Sequence, residues 1–141
     1  MKAMKVLENP EASFAELMTI AENLHHQRIK DRKMIIEKLL SHPANKYTSM
    51  IERMVVCQLI SRGMMNKLKF DEIIALIPHV VHGGSQEEFI WFMKRHLIKK
   101  SEWYKIVNAY NEAETRQSCV LGYWPKLIDD QFYGIGLNLG D

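Results

Sequence analysis

Between Trp91 and Lys105 the chain reads WFMKRHLIKKSEWYK, with five basic residues (Lys94, Arg95, Lys99, Lys100 and Lys105) set among aromatic rings. Lys and Arg neutralise phosphates, and an aromatic face offers a surface on which a base can stack. Only Glu102 offsets the run, which leaves a local charge of +4 in a chain whose formal total is +2. The residue types therefore point to a polyanionic partner, nucleic acid first. A second basic run, HHQRIKDRKMIIEK, gathers Arg28, Lys30, Arg32, Lys33 and Lys38. Arg28 and Arg32 are i,i+4 neighbours on one helix face, which costs some repulsion unless an anion sits between them. The expected interface is Lys94, Arg95, Lys99, Lys100 and Lys105, with Trp91 as an accessory ring and Arg28, Arg32 and Lys33 as a secondary surface. The competing reading makes each run the solvated side of a helix. Trp103, inside an apolar stripe, reads as packing rather than as a base platform.

Other chemistries are not written as specifically. His79 and His82 could share a helix face and His25 adjoins His26, but no Cys or carboxylate completes a zinc pattern beside either pair. Gly134-Ile135-Gly136 lacks the further glycine, lysine and helix of a phosphate loop, and Asp129-Asp130 reads as a turn or cap. No cofactor and no metal are expected, and the chain reads as non-catalytic.

The elements that must carry these residues show helical periodicity. Phe14, Leu17, Met18, Ala21 and Leu24 recur at i, i+3, i+4, i+7 and i+10, and Ser13 with Glu16 forms a capping box in front of them. A second helix is predicted over about 27–41, stopped by His42-Pro43, with Ile36, Leu39 and Leu40 inward. A third, about 47–62, is apolar on nearly every side from Met54 to Ile60, as a central helix would be, and Gly63 stands at its C-cap. Cys57 within it reads as a small buried hydrophobe. Phe70, Ile73, Ile74, Ile77 and Val81 form the next stripe, which Pro78 should interrupt or kink. After Gly83-Gly84, Ser85 and Glu88 read as a second capping box for a helix over about 86–98, with Lys94, Arg95 and Lys99 on its outer side. Ser101 is placed as the cap of a sixth helix through Trp103, Ile106, Val107, Tyr110 and Ala113. A helix-turn-helix arrangement is also permitted, with 86–98 in the major groove and 103–107 as a wing strand. Glu87 and Glu88 oppose it, because the start of a recognition helix usually meets phosphates and bases.

These segments predict an all-α protein: one compact bundle of about six amphipathic helices over 1–118, followed by an irregular Gly- and aromatic-rich tail over 119–141 that docks on the same domain. The chain has 141 residues, 47% apolar and 26% charged, in the range of an ordinary globular protein. Two cysteines do not make a disulfide framework, and no secretory or membrane-spanning segment is read, so a cytoplasmic setting is expected. Residues 1–70 hold twelve Lys/Arg against seven Asp/Glu, whereas 71–141 hold seven against ten. The 91–105 cluster thus lies in the more acidic half, and its field is local. The expected function is that of a non-catalytic regulatory or accessory protein that binds nucleic acid. The alternative is a protein-interaction module, an inhibitor or adaptor, whose protein partner meets an apolar surface including the tail. Nine methionines, adaptable at partner surfaces, suit that alternative.

Overall fold

The computed structural model describes residues 2–43, 48–95, 98–117 and 139–140. The protein is all-α: seven α-helices lie among these residues, and their contacts divide the chain into two compact units, Met1–Lys67 and Leu68–Asp141.

The first unit opens with a helix that the periodicity did not reveal, α1 (Lys2–Glu8), two turns long with Ala3 and Leu7 buried at i and i+4. Its brevity explains the miss, since two apolar positions do not make a stripe. α2 (Phe14–Glu22) starts as its sequence predicts: Ser13 Oγ accepts from the Glu16 N–H at 3.2 Å, and the Glu16 carboxylate accepts from the Ser13 N–H at 3.0 Å. A single 3-10 turn follows at Leu24–His26. α3 (Ile29–Leu40) buries Ile35, Ile36 and Leu39 and ends at Ser41. His42 beyond it is buried, and its Nε2 donates to the Asn9 carbonyl at 2.8 Å, joining the ends of α1 and α3. α4 (Thr48–Ser61) buries Ile51, Val55, Val56 and Leu59, and Gly63 beyond it has the positive φ of a C-terminal cap. α2 and α3 both pack on α4, as does the Leu24–His26 turn. Each of those aliphatic side chains contributes roughly 1.5–3 kcal/mol through removal from water. Cys57 is half-buried rather than fully enclosed.

The second unit begins with α5 (Phe70–Gly83), which runs unbroken through Pro78. An interruption, a kink or the start of a short turn was expected there; the helix is not interrupted, and Pro78 lies on its exposed side. Gly84 then takes the left-handed conformation, φ 72°, and the N–H groups of Gly84 and Ser85 return to the carbonyls of Val81 and Val80. This is a Schellman closure.

That closure decides the fate of the second capping box. Ser85 is fully buried with its Oγ unpartnered, and it makes no side-chain cap to α6 (Gln86–Lys94). α6 is also shorter than expected, ending at Lys94. A two-residue strand β1 (Ile98–Lys99) follows, and α7 (Lys100–Gln117) then begins before Ser101, which lies in its first turn rather than capping it. α7 packs mainly on α5, burying Ile106, Tyr110 and Ala113. β1 pairs in parallel with β2 (Leu139–Gly140), the one part of the 119–141 tail that the description covers. The expected docking of the rest of the tail lies outside the described residues.

Candidate functional site

α6 positions the centre of the basic cluster. Phe89, Phe92 and Met93 turn inward and are buried, with the Phe89 ring edge-on to Tyr110 at 5.9 Å. This inward stripe leaves Trp91 on the outer side, 50% exposed. Arg95, four residues on and just past the helix end, places its guanidinium carbon 4.6 Å from the centre of the Trp91 ring. Such a cation–π contact is worth about 0.5–1 kcal/mol at an exposed site. It holds a permanent cation against a surface indole. The acidic Glu87 and Glu88 occupy the first turn of the same helix, and Lys94 and Arg95 its end, an order that the helix dipole also favours.

α7 supplies the other exposed groups. Opposite its buried stripe, Ser101, Tyr104, Lys105, Asn108 and Glu112 are exposed, Tyr104 by 59%. Tyr104 is a second surface ring, outside the predicted set; the ring weighed in this segment was Trp103 of the apolar stripe. The signal was present, as position 104 falls one residue off that stripe. Of the predicted cluster, the structure brings Trp91 and Arg95 into contact and exposes Lys105. Lys94 closes α6, Lys99 lies in β1 and Lys100 opens α7. Lys99 is therefore not on the outer side of a helix over 86–98, because that helix stops five residues before it. The side chains of Lys94, Lys99, Lys100 and Trp103 lie outside the described set.

The secondary surface, Arg28, Arg32 and Lys33, belongs to the first unit. Arg28 Nε donates to Asp31 Oδ2 at 3.0 Å across the first turn of α3. Arg32 donates through Nε to the Gln27 carbonyl and through Nη2 to the His25 carbonyl, both at 3.1 Å. A carboxylate and two backbone carbonyls thus moderate the repulsion expected between the two guanidiniums. Lys33 is exposed on α3.

The helix-turn-helix arrangement does not survive. Residues 103–107 are helical, not a wing strand, and Ser85 and Gln86 at the start of α6 are buried where a recognition helix would have to meet bases. Among the described residues no group of three His, Cys, Asp or Glu side chains could hold a metal ion. No helix among them is long and apolar enough to cross a membrane. No protein-family model, no curated protein and no solved structure matches the chain.

Proposed function

We propose that this is a non-catalytic regulatory or accessory protein that binds nucleic acid through the end of α6 and the outer face of α7. The observation that carries the reading is Arg95 held against the half-exposed Trp91 ring. A cation fixed on an indole at the surface meets a phosphate with its charge and an unpaired base with ring surface. Tyr104 and Lys105 add a further exposed ring and cation on α7. Stacking requires bases that are not already paired, so single strands are the favoured form.

If the five cations of the cluster neutralise about five phosphates, affinity for a single-stranded oligonucleotide falls about a hundred-fold between ~50 and ~200 mM salt. Tryptophan fluorescence is quenched on binding, and Trp91→Ala removes most of that quenching while weakening affinity by about 1–3 kcal/mol. Replacing Arg95 and Lys105 by Glu abolishes binding while leaving helical circular dichroism intact, because both side chains are exposed. A folded charge-reversed variant with undiminished affinity would sink the reading.

A second reading, the protein-interaction module, draws support from the first unit. Ile29 is 69% exposed at the start of α3, and Met34 and Met50 are also exposed. Apolar side chains so placed suit a protein partner whose binding is insensitive to salt. If the native chain shows no salt-sensitive affinity for DNA or RNA, this reading takes the lead.

A further inference from the structure

A different set of cations converges within the first unit, around the Leu24–His26 turn. The two bonds from Arg32 to the carbonyls of Gln27 and His25 fix its guanidinium beside that turn. Five N–H groups belong to a guanidinium, so donors remain for another acceptor. The His25 and His26 rings lie 4.0 Å apart, centre to centre. The turn packs against α4, whose last turns carry Gln58; the exposed Arg62 follows directly after the helix. Two buried polar atoms on these packed elements have no hydrogen-bond partner among the described residues: His25 Nδ1 and Gln58 Oε1. The Gln58 NH2 donates weakly to Met54 Sδ at 3.7 Å; turning the amide over gives up that contact and puts the NH2 at the second position, since amide oxygen and nitrogen are interchangeable in shape.

The charges crowd as well. After burial, the largest cause, Arg62 just past α4, His26 from the same turn and Arg32 from α3 hold the pKa of His25 below its ordinary 6.5. Among the described residues, no carboxylate acts on His25 in the opposite sense. Like charges gathered in this way disfavour one another, and an anion among them relieves the repulsion.

We propose that His25, Arg32 and Arg62, with the Gln58 amide, form a binding site for a phosphoryl oxyanion between the Leu24–His26 turn and the end of α4. A tetrahedral phosphoryl group offers several acceptor oxygens, enough for the guanidinium donors, the amide and a protonated His25 together. Free phosphate, a phosphomonoester and the phosphodiester of a nucleic acid share that chemistry. The site does not rest on the α6–α7 reading, and either can stand without the other.

The test follows the histidine ring signals of the full chain by NMR during titration with inorganic phosphate, with sodium chloride at matched ionic strength as reference. A saturable shift of the His25 ring, with its pKa rising towards or past 6.5 as phosphate is added, is expected. Arg62→Gln weakens the phosphate affinity about ten-fold or more, the usual loss for a hydrogen bond to a charged group, while Lys5→Gln on α1 leaves it unchanged. Dimethyl phosphate, run in parallel, separates the sources: saturation with it assigns the site to a nucleic-acid backbone, and saturation with inorganic phosphate alone assigns it to a free or terminal phosphate. A shift that stays linear and no larger than with chloride overturns the proposal, as does equal loss in the Arg62 and Lys5 variants. Should Arg62→Gln fail to fold, the native titration still decides by whether it saturates.

Discussion

Tyr110 shows how much a single buried polar atom weighs in this molecule. Its side chain is almost wholly enclosed on α7 and its hydroxyl has no hydrogen-bond partner among the described residues, so burial pushes the phenol pKa well above the usual 10. An unpaired buried hydroxyl costs about 1–3 kcal/mol, whereas the ring keeps its edge-on contact with Phe89 if the oxygen is removed. Tyr110→Phe is therefore expected to leave stability unchanged or raise it by about 1 kcal/mol. Chemical denaturation checks this, and a loss of several kcal/mol would mean that the hydroxyl has a partner in solution. The same logic separates the cations of the candidate surfaces. Arg28 and Arg32 both satisfy donors within the chain, and Arg95 is held by an indole, so equal formal charges are unequally available to a ligand.

At the scale of the element, the two serine caps make a controlled comparison. Ser13 sits at an exposed helix start, where its hydroxyl and the Glu16 carboxylate exchange hydrogen bonds with each other's backbone N–H. Ser85 has the same spacing to Glu88, but the Gly84 closure draws it into the interior, away from capping geometry. Ser13→Ala is expected to cost about 1 kcal/mol, within the 0.5–2 kcal/mol typical of lost caps, while Ser85→Ala costs nothing or stabilises slightly. Comparable losses at both sites, measured by thermal unfolding, would contradict the assignment. Pro78 adds a third case. It stands inside α5 with its ring exposed, where proline is about 3 kcal/mol less favourable than alanine. Pro78→Ala should raise the melting temperature, and a fall would show that the ring contributes packing which outweighs its helix cost.

For the whole molecule, two neutral groups of opposite chemistry set the pH range of stability. The folded pKa of His25 lies below its ordinary 6.5, so its contribution is fully present above pH 6.5 and is lost as pH falls through the folded value. The folded pKa of Tyr110 lies above its ordinary 10, so its contribution is fully present below pH 10 and is lost as pH rises. Melting temperature against pH should therefore show a plateau between these limits. Its acid shoulder should flatten in His25→Gln, and phosphate bound at the proposed oxyanion site should shift the same shoulder. An acid limb unchanged by His25→Gln would assign the loss to carboxylates instead.

The all-α class and the placement of α2, α3 and α4 were legible in the sequence, because stripes at i, i+3, i+4 and caps three residues apart are local properties. The expected spans of about 27–41 and 47–62 differ from Ile29–Leu40 and Thr48–Ser61 by at most two residues at either end. The unbroken run of α5, the early end of α6 and the early start of α7 were not legible, since a proline is tolerated, or a serine recruited as a cap, according to which side faces the interior. The same holds at the candidate sites. Residue types announced a basic, aromatic cluster, and only the folded chain decided that Arg95 rests on Trp91, that Tyr104 is exposed and that Arg32 is anchored by two of its donors to backbone carbonyls. The gathering of His25, Arg32 and Arg62 joins residues as much as 37 positions apart. Periodicity carries no information about such separations; the packing of the Leu24–His26 turn on α4 supplies it.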